Sequence, residues 1–233
     1  TVLPIMQIFY AMSDKGCPIE GIADELNWKI HAQMPTGCHI AAVLVSVDLR
    51  GRSIKVWNGG SPPSVFMGQR GEILHQCESR HLPLGILSKE DFNGEAEVFQ
   101  WEEPGQLIIY SDGLLEAEDP EGRAFGSENM FQALSHVQMK DRFSMLVKSV
   151  CRHLGGRPGQ DDISLLMINC PLVRVSERPR PELVVEKAKG KAKGIEGFIE
   201  WRLSFNLGPE KIRSLNILQL SLDWLHLMNI RRS

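Results

Sequence analysis

The 233-residue chain is poor in the signatures that mark the commoner site chemistries. It has five cysteines, Cys17, Cys38, Cys77, Cys151 and Cys170, an odd number and widely spaced. None forms a Cys-x-x-Cys pair, which argues against a zinc site and against a disulfide framework. A reducing, cytoplasmic setting is the simplest expectation. The seven histidines are scattered, with no His-Glu-x-x-His pattern to suggest a helical metal site. Charge is nearly balanced, with a net of -3, so neither nucleic acid nor an anionic membrane is expected as the main partner. The apolar opening, Val2 to Met12, is too short to span a bilayer and lacks the basic leader of a signal peptide. No nucleophile motif stands out, which removes the usual reason to expect a covalent intermediate.

What the chain does have is one strongly marked stretch, Gln106-Leu107-Ile108-Ile109-Tyr110-Ser111-Asp112-Gly113. The apolar run reads as a buried strand that ends in a carboxylate and a glycine. A carboxylate at the edge of a core is costly unless paired, hydrogen-bonded or bound to a metal. A second stretch mirrors it: Gly159-Gln160-Asp161-Asp162-Ile163-Ser164-Leu165-Leu166-Met167-Ile168. Here the acids precede the strand. If the two strands are antiparallel neighbours, Asp112 and Asp161 reach the same edge of one sheet. Carboxylate oxygens gathered there suit a hard cation, Mg²⁺ or Mn²⁺. Taken singly, each aspartate reads better as a cap, Asp112 of a turn and Asp161 of a loop.

The rest of the chain fits around these strands. Val2 to Lys15 and Pro18 to Gln33 have apolar stripes at helical period, with Asp14-Lys15-Gly16 and Pro35-Thr36-Gly37 as stops. His39 to Asp48 and Ser53 to Asn58, joined by Arg50-Gly51, predict an antiparallel hairpin. Asn58 to Pro63 predicts a corner. Ser64 to Met67 with Glu72 to Gln76 predicts a second hairpin, and Glu97 to Gln100 a short strand. Ser127 is expected to cap a helix containing Met130, Phe131 and Leu134. Asp141 to Leu154 is expected to be a longer one. The acids Glu116, Glu118, Asp119 and Glu121 are read as a solvated loop without ligands. The loop Gly155 to Gly159 delivers Asp161, and its Arg157 has the geometry to meet a phosphate.

"SDGLLEAED" followed by "GQDDISLLMI", together with "LVSVDLRGRSIKVWNGGSPP", "LPLGIL" and "FGSENMFQAL" in that order, resembles the SpoIIE-type bacterial serine phosphatases. These belong to the metal-dependent protein phosphatases of type 2C. The resemblance covers residues 1 to about 170. It implies an α+β fold of two packed antiparallel β-sheets flanked by α-helices, the type 2C phosphatase-like sandwich. It implies a two-metal centre for Mn²⁺ or Mg²⁺, with Asp112 and Asp161 as catalytic carboxylates and Asp112, Gly113, Asp161 and Asp162 as the metal set. The family's first acidic motifs, ending in Asp-x-Ser-Gly-His, have no counterpart here and are expected upstream of Thr1. Ser61 stands where the family often has a histidine. The first two helices correspond to the family's regulatory element.

The expected substrate is a phosphorylated anti-sigma-factor antagonist, with a receiver or other sensor domain upstream. Residues 171–194, with Arg178-Pro179-Arg180-Pro181 and alternating lysines, read as a basic linker. Residues 195–233 read as a strand–helix extension. Its strand runs from Glu200 to Leu207, and its helix from Pro209 carries Leu215, Leu218 and Leu222. That extension is similar to the opening of an anti-sigma-type kinase domain; packing against the first domain, or a homodimer, would serve its apolar residues equally. Two other functions stay open: a binding module that keeps the fold without catalysis, and the phosphatase half of a bifunctional phosphatase and kinase.

Overall fold

The computed structural model describes residues 2–35, 37, 39–157, 159 and 161–172, and the backbone of three strands beyond them. In chain order the elements are α1 (Val2–Asp14), α2 (Ile19–Gln33), β1 (Ala42–Asp48), β2 (Ser53–Gly59), β3 (Ser64–Gly68) and β4 (Ile73–Cys77). There follow β5 (Glu97–Gln100), β6 (Gly105–Tyr110), α3 (Asp112–Leu115), α4 (Gly126–Leu134), α5 (Met139–His153) and β7 (Ser164–Cys170). The last three are β8 (Glu182–Glu186), β9 (Ile199–Asn206) and β10 (Leu215–Leu220). One sheet has the order β10-β1-β2-β5 and the other β4-β3-β6-β7-β9-β8. The architecture is two largely antiparallel sheets flanked by helices, as expected. The contacts divide into two compact units, each discontinuous in sequence.

The first unit comprises residues 1–63, 77–100 and 212–233. The β1–β2 hairpin pairs Val45 with Val56 and Leu44 with Trp57. Its turn is held by Asp48, whose Oδ1 accepts the backbone N–H of Arg50 at 2.9 Å and of Gly51 at 3.0 Å. Helix α1 stops where Gly16 takes a positive φ of 72°, a backbone state that costs glycine little, and Cys17 N–H closes on the Met12 carbonyl at 3.0 Å. The apolar stripe of α2 (Ile19, Ile22, Leu26, Ile30) packs with Ile5, Phe9, Leu44 and Trp57 into one core. Asn27 is buried on the same helix. Its amide donates to the Leu87 carbonyl at 3.0 Å and its oxygen accepts Gly85 N–H at 2.8 Å. The 84–87 loop is thereby tied to α2.

The second unit comprises residues 64–76 and 101–211. Strand β6 is buried along its whole length, which its continuous apolar run requires. It pairs antiparallel with β3 on one side and β7 on the other. Ile108 and Tyr110 of β6, with Val65, Met67, Leu165 and Met167 of its neighbours, pack against Met130 and Leu134 of α4 and Phe143, Leu146 and Val150 of α5. Ser127 does not cap α4: the helix already includes Gly126, whose φ of 71° makes the turn into it, and no side chain caps its first turn.

Two expectations for the C-terminal third give way. Glu182–Glu186, inside the stretch read as a linker, is a strand pairing antiparallel with β9, which in turn runs parallel to β7. Leu215–Leu220, read as helical, is extended and pairs antiparallel with β1, Leu218 opposite Leu44. An apolar run this short satisfies either period, and the second edge of β1 offers a row of N–H and C=O groups that only another strand can pair. The remainder of the expected linker and helix lies outside the described residues.

Candidate metal centre

The two acidic motifs meet at one end of the β6–β7 pair. The register sets Tyr110 opposite Leu165, so the chain leaves β6 beside the point where it enters β7. Ser111 is the clasp. Its N–H donates to the Ser164 carbonyl at 3.0 Å, and its buried hydroxyl accepts Ser164 N–H at 2.9 Å while donating to the Asp162 carbonyl at 3.2 Å. Three bonds thus continue the ladder past its last paired residues and fix the 162–164 backbone against the start of α3. Sequence reasoning passed over Ser111. A hydroxyl directly before the acid, at the end of an apolar run, was the available signal.

Gly113 is where α3 and the 161–162 backbone come closest. A Cβ at this position would sit 2.6 Å from the Asp162 carbonyl oxygen and 3.4 Å from Cβ of Asp161. Only glycine fits. Asp112 and Asp161 are half-buried and Asp162 is exposed. Asp112 Oδ1 accepts Gly113 N–H at 3.0 Å, and Asp161 Oδ1 accepts Asp162 N–H at 2.7 Å. Among the described residues Asp112 has no cationic partner. Of the predicted set, the fold brings the backbone of Asp112–Gly113 beside that of Asp161–Asp162. The group offers only oxygen donors, three carboxylates and the backbone of Gly113, and the glycine lets the two turns approach this closely. Such a donor set fits a hard divalent cation.

The surrounding acids divide differently from the expectation of a uniformly solvated loop. Asp119 is only 8% exposed. It accepts the backbone N–H of Glu121 and of Arg123, both at 2.9 Å, and pairs with the Arg123 guanidinium at 2.7 Å. The backbone N–H of Arg123 and then its side chain hold the Asp119 carboxyl down at about 2. Its work is to close a turn. Arg157 is exposed and donates to the Pro120 carbonyl at 3.3 Å. Arg142, unremarked in the sequence, is fully buried on α5. It donates to the carbonyls of Val137, Met67 and Gly68, and burial lowers its pKa. Burial also pushes the thiols of Cys77 and Cys170 up to about 12, so neither is a ready nucleophile.

Comparison with known proteins gives the family and the fold. The family described as Stage II sporulation protein E (SpoIIE) matches residues 1–171. The chain belongs to the SpoIIE family. The PP2C phosphatase domain of SpoIIE from Bacillus subtilis, determined with a fragment of its regulatory domain, superposes with a TM-score of 0.59 at 20% identity, over 70% of this chain and 48% of that one. The SiaA-PP2C domain of Pseudomonas aeruginosa gives 0.55 at 17% identity, over 69% and 64%. The RsbU and RsbW domains of Rv1364c from Mycobacterium tuberculosis give 0.55 at 16% identity, over 81% and 51%. Protein IcfG of Synechocystis sp. (strain ATCC 27184 / PCC 6803 / Kazusa) is 22% identical over 125 residues, which is 52% of this chain and 19% of IcfG. The chain thus spans about a fifth of that curated relative. As a SpoIIE-type PP2C domain it has the family's two-sheet α+β fold.

Proposed function

We propose that this SpoIIE domain is a metal-dependent phosphoserine/phosphothreonine protein phosphatase, with Asp112 and Asp161 as its catalytic carboxylates. The observation that carries the reading is the meeting of both acidic motifs at one sheet end, clasped by Ser111 and separated only by Gly113. Asp112, Asp161, the Gly113 backbone and Asp162 would hold Mn²⁺ or Mg²⁺ together with carboxylates from an upstream segment. Such an ion, when bound, supplies an activated water for in-line attack on phosphorus and neutralises charge on the phosphate oxygens. The chain's own part is positional. Ser111 fixes the spacing of the two turns, and Gly113 permits their close approach.

The substrate of this reading is a phosphorylated anti-sigma-factor antagonist, and an upstream receiver or sensor domain acts through α1 and α2. The buried Asn27 bonds between α2 and the 84–87 loop support a helix able to transmit such a signal. Residues 1–170 form the phosphatase domain in this proposal, and the residues that follow are an extension. Among the described residues no helix is long and apolar enough to cross a membrane. A cytoplasmic protein is part of the proposal.

Phosphate release from a phosphoserine protein tests it, with and without Mn²⁺, using the full-length protein beside Asp112→Ala and Asp161→Ala. Metal-dependent turnover lost in both variants is expected. No turnover from the full-length protein would overturn the enzyme and leave a binding module of the same fold.

A further inference from the structure

Sequence distance separates Asp112 from Asp161, yet the connection between them is fastened a second time, away from Ser111. The turn after α3 and the turn after α5 are bolted together. His153 donates from Nε2 to the Arg123 carbonyl at 2.9 Å, and its ring meets Phe125 edge-on at 5.2 Å. Arg157 donates to the Pro120 carbonyl at 3.3 Å. Pro120 lies so close to Gly155 that a Cβ there would be 2.8 Å from its Cγ. Gly155 and Gly156 both have positive φ, 59° and 83°, so the chain leading to Asp161 passes through two residues with little intrinsic stiffness. What stiffens it comes from the other turn. That turn is itself held by Asp119, through two backbone N–H groups, the Arg123 guanidinium and the reciprocal bonds from Asp119 N–H to the Arg123 carbonyl and from Gly122 N–H to the Asp119 carbonyl, each 3.0 Å.

We infer that the Asp119–Arg123 turn is a positioning element for the metal centre: through His153, Pro120 and Arg157 it holds residues 153–157, from which the chain runs on to Asp161. Asp119 and Arg157 are positioning residues, acting through the loop without touching the ion. The inference rests on the metal-centre reading above. It gives Asp119, among the acids of this loop, a place in the frame of the site.

The test is Mn²⁺ affinity of the full-length protein by titration calorimetry, read beside melting temperature. Asp119→Ala is expected to weaken Mn²⁺ binding by ~10-fold, the scale on which supporting residues act on metal affinity. Asp119→Asn recovers part of it, because the amide oxygen still accepts the N–H groups of Glu121 and Arg123. Arg157→Gln, at an exposed position where folding is not at risk, weakens binding in the same direction. Leu134→Ala, buried on α4, lowers the melting temperature and leaves the affinity unchanged. A lowered melting temperature with unchanged affinity in Asp119→Ala, or unchanged affinity in Arg157→Gln should Asp119→Ala not fold, overturns the inference alone. Wild-type protein that binds no Mn²⁺, or binds it independently of Asp112, overturns the metal centre and the inference with it.

Discussion

Gly113→Ala is the most direct test of how the two acidic turns are joined. Gly113 is the second residue of α3 and its φ is negative, so alanine meets no backbone objection. The obstacle is space. Ordinary contact begins near 3.4 Å, and the new methyl would lie 2.6 Å from the Asp162 carbonyl oxygen, so one turn must retreat by about 0.8 Å. That carbonyl also accepts the Ser111 hydroxyl at 3.2 Å, a bond that a shift of this size breaks. Overpacking of this kind costs roughly 1–3 kcal/mol and the lost hydrogen bond about 1 kcal/mol. Alanine's better helix propensity returns at most about 1 kcal/mol, less in a single turn. The net is a loss of about 1–4 kcal/mol, which at ~2–4 °C per kcal/mol for a domain of this size lowers the melting temperature by ~2–16 °C. Activity falls further than stability, since a displacement near 1 Å at a reacting centre costs about 100-fold. Thermal melts and phosphate release on the same preparation read both effects. A variant melting within 1 °C or so of wild type, with full turnover, would refute the close approach of these turns and the clasp built on it.

Two further outcomes follow from buried or bonded charges. Arg142→Met leaves the carbonyls of Val137, Met67 and Gly68 without their guanidinium donor, and urea unfolding should show a loss of ~1–3 kcal/mol, with Arg142→Lys failing to restore all three contacts. The Asp119 carboxyl titrates at about 2 in the fold against 3.8 ordinarily, so its contribution is fully present above pH 3.8 and is lost as pH falls through 2; melting curves from pH 5 to 2 should converge for wild type and Asp119→Asn across that window, and parallel curves would count against the turn.

How much of this was legible in sequence depends on how local the cause is. Helices α2 and α5 were legible because Ile19, Ile22, Leu26 and Ile30, or Phe143, Leu146 and Val150, hold one stripe over several turns. The antiparallel placement of Asp112 and Asp161 was legible because each acid borders a long apolar run, one at its end and one at its start. Leu215–Leu220 was misread because its pattern is too short to choose a period, and the choice was made by the unpaired edge of β1. Arg142 and Asp119 were invisible for another reason. Both are polar residues in polar surroundings of the sequence, and what gives them a role is a set of backbone groups far from them in sequence or folded back by a turn.

The sequence by itself determined which segments must be buried, which carboxylates end up at the edge of a core, and the family to which such an ordered set belongs, because burial and period act over a few neighbouring residues. The tertiary structure alone decided what holds those carboxylates in register: the Ser111 hydroxyl between two strands, the space that only Gly113 leaves, and the Asp119 turn fastened to the end of α5. Each depends on atoms that approach within hydrogen-bonding or contact distance only once the strands have paired, and no local pattern in the chain records that approach.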